Sequence, residues 1–507
     1  MQAPRDRGDE SPDGNAPEQP VGVGPASAVE PDIEDGSGAF ARAGRFVGPL
    51  LAGLALLATH PDLGAWGGLA ADASWVLGLF VLMAVWWVTL AVDPAVTALI
   101  PFIALAAIGV GKPGEIAAPY ANDVMFLFGG GSLIALALDR GGVSRRFAAA
   151  VIAIAGSSPL AVLSAVMLAT ALMSAFVSNL ATTATMLPFA LALAASVRAA
   201  ARDEAQRRAA GRFATSLFLG IAFASSIGGA LTPVGSPPNP IAIEELEKQG
   251  VAMDFLRWMY FSVPTTAVML PLAVVVLGTW LFPAHGIRVP KQPPDAELLG
   301  RDGWFALAVF GLALTAWVTN PLWQDGFKAV KEGTIAVAAA AMLFLLPSRV
   351  RPGEGVLAPR DFAQVPWRVL VLFGGGLCLA DAMQRTGLSA SLGTLFESAG
   401  ALPSIGVLAV VVAVLVFASE VASNTALAAM SVPIVAAIAP VLGLPPQALV
   451  IPAVFAASWA FAMPVGTPPN ALVFASGQVR ARDMMRAGLV LDVIAIAVIV
   501  VMAKVLL

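Results

Sequence analysis

Charge is scarce in this chain, and so are the side chains that carry covalent chemistry. Lys, Arg, Asp and Glu together make up 12% of its 507 residues, where a soluble domain holds about a quarter. The single cysteine, Cys378, lies inside an apolar run, so no intrachain disulfide forms. The two histidines, His60 and His285, fall far apart near expected helix ends, which excludes a His/Cys zinc constellation. There is no G-x-x-x-x-G-K-[ST] phosphate loop, and energy from ATP bound to this chain is not expected. An intramembrane enzyme would need a nucleophile with a base, or paired acids, at membrane depth. The polar tips between the apolar runs offer hydroxyls and one Glu with no His or Lys nearby, so that class is set aside.

What the chain has instead is apolar sequence. It is 58% hydrophobic, with a mean hydropathy of +0.82. Hydrocarbon can solvate that much apolar surface, and a spanning helix uses roughly 20 such residues. Apolar runs cover 46–60, 73–91, 94–111, 123–139, 159–176, 181–197, 213–231, 259–282, 304–319, 334–347, 368–383, 402–418, 425–442, 447–464 and 485–507. The pairs 159–176 with 181–197 and 402–418 with 425–442 are parted only by short polar Ser-Asn tips. They read as re-entrant hairpins, because non-helical backbone at membrane depth survives only where it lines an enclosed cavity. About eleven transmembrane helices remain, in an all-α polytopic fold. With the N-terminus in the cytoplasm, 20 Lys and Arg fall on inside loops and seven outside, as the positive-inside rule requires. The expected location is the cell inner membrane. Residues 1–44, rich in Asp, Glu, Pro and Gly, read as a disordered cytoplasmic tail. They are not a signal peptide, since the first apolar run starts near Phe46.

The second half repeats the first. Leu127-Phe128-Gly129-Gly130-Gly131 matches Leu372-Phe373-Gly374-Gly375-Gly376, and Arg140-x-Gly142 matches Arg385-x-Gly387. Val177-Ser178-Asn179 matches Ala422-Ser423-Asn424, and Pro233-Val234-Gly235-Ser236-Pro237-Pro238-Asn239 matches Pro464-Val465-Gly466-Thr467-Pro468-Pro469-Asn470. Gly129 to Ser178 and Gly374 to Ser423 are both 49 residues. Five spans per unit, an odd number, turn the second copy upside down, which is the inverted-repeat plan of secondary transporters with broken helices near the midplane. The expected segments are a leading region 45–91, a first repeat 92–284, a cytoplasmic linker 285–303 and a second repeat 304–507. Each repeat carries one hairpin and one broken helix.

The repeated motifs are polar where the bilayer is apolar. Ser174 stands four residues before Ser178, and Ser419 four before Ser423, so each pair shares a helix face. Two hydroxyls, an Asn carbonyl and free backbone carbonyls make a neutral oxygen cage suited to a monovalent cation such as sodium. The Asn amide can instead donate to a carboxylate, and helix capping is the plainer role of a Ser-Asn pair. Each [ST]-Pro-Pro-Asn segment breaks a helix, removing N–H donors and freeing carbonyls, which are the usual ligands at such breaks. Glu420 is a carboxylate inside the second hairpin, but its repeat partner is Ala175. The triple glycines read as close-packing surfaces.

At these residues the chain resembles the divalent anion/sodium symporter family, the INDY-type dicarboxylate, citrate and sulfate transporters, over roughly residues 45–507. Family hairpin tips carry Ser-Asn-Thr. The second tip, Ser423-Asn424-Thr425, matches, while the first reads Ser178-Asn179-Leu180. The resemblance implies one sodium site at Ser174, Ser178, Asn179 and Gly235, and another at Ser419, Ser423, Asn424 and Gly466. It places Asn179, Leu180, Asn424, Thr425, Thr467 and Pro468 around the substrate. It further implies sodium-coupled symport of a small di- or tricarboxylate by an elevator motion in a homodimer, with sodium as the coupling ion, no organic cofactor and no nucleic-acid partner. Sodium-independent anion exchange, and transport of an inorganic oxyanion such as sulfate, are the alternatives.

Overall fold

The computed structural model describes residues 37–62, 69–290, 298–323, 326, 327, 329–392 and 403–507. Most of the expected tail, and residues 291–297 of the expected linker, lie outside them. The first described helix runs Ser37–Thr59, so it opens inside the segment assigned to the tail. Two contacts, one with the next helix, Ala71–Thr89, and one with the turn after it, hold this helix near its start. Arg45 Nε donates to the Ala91 carbonyl at 2.9 Å, and Gly44 lies so close to Thr89 that a Cβ would overlap its side chain.

Every regular element among the described residues is a helix. Nine helices are long and apolar enough to cross a membrane, and shorter apolar ones cover Pro94–Ile108, Pro159–Ser174, Glu332–Leu345, Ser404–Ser419 and Gln447–Ser458. Length alone therefore counts nine spans among the described residues. Two of these, Asn179–Ala200 and Asn424–Val441, are the second arms of the paired runs. The arms meet at residues 175–178 and 420–423. Both arms of the first pair pack on Glu204–Gly229, and both arms of the second on Gln447–Ser458.

Each of those packed helices breaks where the Pro-Pro-Asn motif demands. Glu204–Gly229 gives way to a loop and resumes as Pro238–Lys248; Gln447–Ser458 gives way and resumes as Pro468–Ala475. Proline at the first helical position lacks an N–H that a helix start would leave orphaned anyway. The halves are then exchanged. Pro238–Lys248 packs on the second hairpin arm Asn424–Val441, and Pro468–Ala475 on the first hairpin arm Asn179–Ala200.

A second reciprocal exchange builds the frame beside the hairpins. A Cβ on Gly130 would come within 2.7 Å of the Ala336 backbone. A Cβ on the repeat-related Gly375 would overlap the Ala98 carbonyl. So Asp123–Arg140 packs on Glu332–Leu345, and Trp367–Arg385 on Pro94–Thr97 and Ile100–Ile108. The matched arginines close both contacts: Arg140 pairs with Asp361 at 2.6 Å, and Arg385 with Glu115 at 2.9 Å. Each acid also caps its own short helix, Asp361 through the Ala358 N–H at 2.8 Å and Glu115 through the Lys112 N–H at 3.2 Å. The Arg-x-Gly motifs thus staple one half of the chain to the other.

The two staples differ in burial. The Asp361 side chain is 1% exposed and also holds Arg351 at 3.1 Å, whereas the Glu115 side chain is 49% exposed. Burial raises the Asp361 pKa, but the Ala358 N–H and the Arg140 and Arg351 guanidinium groups outweigh it, and the net shift is downward. A depressed carboxylate contributes stability above its unfolded pKa and loses it as pH falls through the folded value. Asp361→Asn is expected to cost about 3–5 kcal/mol, because it removes the shared carboxylate from two charge-assisted contacts, leaving Arg351 with Glu354 at 3.9 Å and the Val356 carbonyl at 2.8 Å. Thermal unfolding in detergent at neutral pH should show this drop, a smaller one for Glu115→Gln, and a gap between wild type and Asp361→Asn that narrows toward acid.

Candidate functional site

The first hairpin tip is held by hydroxyl and carbonyl oxygens. Gly228 lies so close to Ala171 that a Cβ would overlap its backbone, which seats the first arm on Glu204–Gly229. Ser174 Oγ there lies 2.8 Å from both Asn179 Oδ1 and the Ser225 carbonyl, with one proton to share between them. Ser225 Oγ donates back to the Asn179 carbonyl at 2.7 Å. Ser178 Oγ accepts the Ala181 N–H at 3.4 Å and caps the second arm. Gly235, in the break, is walled by carbonyls: a Cβ would meet those of Gly229 at 2.6 Å, Ala175 at 2.8 Å and Ser174 at 3.0 Å. Thr232 Oγ1 donates to the Ala175 carbonyl and pins the loop to the tip. The donor set is all oxygen and all neutral, which fits a monovalent cation.

The second tip repeats part of this scheme, without the Ser225 and Thr232 hydroxyls or the serine cap, and with one change of charge. Ser419 Oγ lies 3.4 Å from the Ala456 carbonyl, the repeat counterpart of Ser225. Asn424 Nδ2 donates to the Ser458 carbonyl at 3.3 Å, while Asn424 Oδ1 and Ser458 Oγ are buried without a partner. The change is Glu420, where the first tip has Ala175. Its carboxylate accepts the N–H groups of Phe461 at 2.7 Å, Ala462 at 2.8 Å and Met463 at 2.6 Å. Gly466 lies against it: a Cβ there would meet Glu420 Oε2 at 3.0 Å and the Glu420 carbonyl at 3.3 Å.

The motif asparagines clasp both breaks in the same way. Asn239 Nδ2 donates to the Gly229 and Thr232 carbonyls at 2.9 and 2.8 Å. Asn470 Nδ2 donates to the Ala460 and Met463 carbonyls at 3.4 and 3.1 Å. Each amide replaces donors that the helix lost at its break, and each leaves its Oδ1 buried without a partner. Unpaired buried oxygens are costly, and these lie at the two loops where ligands were expected.

The sequence-derived residues are placed as follows. Ser174, Asn179 and Gly235 come together at the first tip, and Ser178 caps beside them with an exposed side chain. Ser419, Asn424 and Gly466 line the corresponding region around Glu420, whereas Ser423 makes no capping bond. Leu180 is half-buried in the first turn of its arm, and Thr425, its repeat counterpart, is buried. Thr467 Oγ1 caps Pro468–Ala475 through the Asn470 N–H at 3.3 Å, and Pro468 is exposed. Sequence reasoning missed Ser225 and Thr232, whose repeat counterparts are Ala456 and Met463 and carry no hydroxyl. It also missed Asp492, fully buried in Ala481–Leu506, with Oδ1 3.3 Å from the Phe461 N–H. A carboxylate in an apolar run is a signal in itself, and it could have found Asp492.

The profile of the sodium:sulfate symporter transmembrane region matches residues 49–506. A sodium-dependent dicarboxylate transporter SdcS from Staphylococcus saprophyticus is 33% identical over 469 residues, covering 90% of this chain and 89% of its own. The SdcS protein of Staphylococcus aureus is 32% identical over 469 residues, with the same coverage. Among solved structures, the Alcanivorax borkumensis YdaH transporter is similar in fold, with a TM-score of 0.51 and 14% identity, over 80% of this chain and 88% of that one.

Proposed function

The chain belongs to the sodium:sulfate symporter family, the divalent anion/sodium symporters, and from that premise we propose that it carries a small dicarboxylate across the membrane by sodium-coupled symport. The observation that carries the reading is the Gly235 loop, walled by three carbonyls beside Ser174 and Asn179, with no charged side chain in the set. Such a cage suits sodium. Two sodium ions beside the tips would offset the two charges of a dicarboxylate held between Asn179 and Asn424. Leu180, Thr425, Thr467 and Pro468 would border that anion, and the Asn amides and the start of Pro468–Ala475 would donate to it. The SdcS relatives, named for sodium and dicarboxylate, support the same substrate class.

In this reading both hairpins are re-entrant and eleven helices cross a cell inner membrane, with the N-terminus in the cytoplasm. The two hairpins and two broken helices, locked together by their exchanged halves, form the moving unit of an elevator. The helices closed by the glycine contacts and Arg staples form the frame, with a second copy of the chain beside it. Ala71–Thr89, Pro94–Ile108 and Asp123–Arg140 correspond in order to Arg301–Trp323, Glu332–Leu345 and Trp367–Arg385, and Ala98 corresponds to Ala336 through the reciprocal glycine contacts. The first copy of the repeat would then begin near Ala71 rather than at 92.

Proteoliposomes loaded without sodium test the proposal. Radiolabelled succinate should accumulate when sodium is outside and fail to do so when choline replaces it, with citrate and sulfate as the competing substrates. Uptake indifferent to sodium, or counterflow driven only by internal anion, would defeat symport. Accumulation of sulfate in preference to every carboxylate would defeat the substrate class.

A further inference from the structure

The two candidate cation sites share the Ser, Asn and Gly positions of the repeated motifs but differ in hydroxyls and in charge. At the first tip the side chain at the repeat position is Ala175, and the loop is pinned by the Thr232 hydroxyl. At the second tip that position is Glu420, 5% exposed, with its carboxylate inside a cradle of three consecutive N–H groups. Charge-assisted bonds of this kind solvate a carboxylate as an anion, and three successive amides turned toward one point form an anion nest. The nest is filled from within the chain, so it does not serve the substrate. Its effect falls on the neighbouring oxygens: Glu420 follows Ser419 directly, and its Oε2 abuts Gly466. Asp492 lies across the same Phe461 N–H, with Oδ2 unpartnered. Among the described residues neither carboxylate forms a salt bridge with a Lys, Arg or His, and the two carboxylates interact with each other.

We infer that Glu420 makes the two sodium sites unequal: the second site, at Ser419, Ser423, Asn424 and Gly466, is the tight one and fills first, and the first site, at Ser174, Ser178, Asn179 and Gly235, is the weak one that fills last. The inference rests on the sodium-coupled reading above. A fixed unit charge about 4 Å from an ion, at an effective dielectric constant of about 20, raises cation affinity by roughly a thousandfold, of which the three N–H groups that cradle the carboxylate offset a part. Nothing comparable acts on the first site, whose donors are neutral throughout. Glu420 is thus an affinity-determining residue that acts on the ion through its charge and through the loop it holds.

The test uses the purified full chain in detergent without substrate. Sodium is titrated against choline at constant ionic strength, and the rise in unfolding temperature is followed. Wild type should show two saturable phases. Ser178→Ala should weaken the second phase and leave the first, whereas Ser423→Ala should weaken the first. Glu420→Gln should move the tight midpoint up by about tenfold or more, and Glu420→Asp, which keeps the charge, should move it less. If Glu420→Gln fails to fold, the serine pair and Glu420→Asp still decide the matter. A tight phase kept by Glu420→Gln, or lost in Ser178→Ala, overturns the inference while sodium coupling stands. A wild type that sodium does not stabilise at all overturns the coupling reading, and this inference falls with it.

Discussion

Replacing Asn424 by Ala should abolish sodium-driven uptake, with a loss near a thousandfold below saturation. The side chain is short, fixed in the first turn of its arm, and its two ends do different work. Its Nδ2 lies 3.3 Å from the Ser458 carbonyl, and its Oδ1 is buried with no partner in the protein. In the proposed site that oxygen ligates sodium while the amide turns toward the anion. Each is a hydrogen bond or contact to a charged species, worth about 1.5–3 kcal/mol. Losing both removes about 3–6 kcal/mol, and tenfold follows from each 1.4 kcal/mol. Truncation also uncovers a buried carbonyl at Ser458. Initial rates at fixed low succinate and sodium, normalised to reconstituted protein, provide the measurement. Asn424→Ala retaining more than about a tenth of wild-type uptake would mean that one amide does not serve both ions.

Much of this arrangement was legible in the sequence because its signals are duplicated. The Pro-Pro-Asn pair located both helix breaks, and the structure interrupts helices at Gly229 and at Ser458. The Ser-Asn pair located both tips, with the turns at 175–178 and 420–423. The triple glycines read as packing surfaces and are: Gly130 and Gly375 each meet backbone of the opposite half of the chain. The Arg-x-Gly match was recognised, but its partners were not. Asp361 and Glu115 lie in connections of different sequence, so no repeated word advertises them, and only the fold brings each acid to its arginine.

The illegible part is what breaks the symmetry. Ser225 and Thr232 have Ala456 and Met463 as counterparts, so a search for matched polar residues passes over them. Glu420 was visible but had no assigned role, because its function depends on three N–H groups some forty residues away in sequence. Period and composition report which face of a helix is apolar. They do not report where an unwound segment aims its amides, and that direction decides which of two similar oxygen cages carries charge.

The remaining asymmetry lies in the substrate-facing position, and it leads to the second large effect. Thr425 is buried in the first turn of its arm, while the repeat-related residue of the first tip is Leu180, half-buried and apolar. A site that hydrogen-bonds a substrate oxygen discriminates strongly, because the analogue lacking that oxygen leaves a buried polar group unpaired. An apolar wall desolvates a carboxylate without replacing its water, which is costly for a charged end. The anion is therefore expected to bind asymmetrically, its polar end toward Asn424 and Thr425 and a less polar or shorter end toward Leu180. Thr425→Ala should remove uptake of every carried anion. Leu180→Thr should raise succinate uptake against the preferred anion by about tenfold, since it supplies one hydrogen bond to a charged oxygen. A competition series of mono- and dicarboxylates of graded length, read as initial rates in wild type and both variants, makes the comparison. Ordinary high-affinity succinate transport by wild type, unchanged in Leu180→Thr, would place the Leu180 side chain away from the anion and leave the hydroxyl of Thr425 without a counterpart to explain.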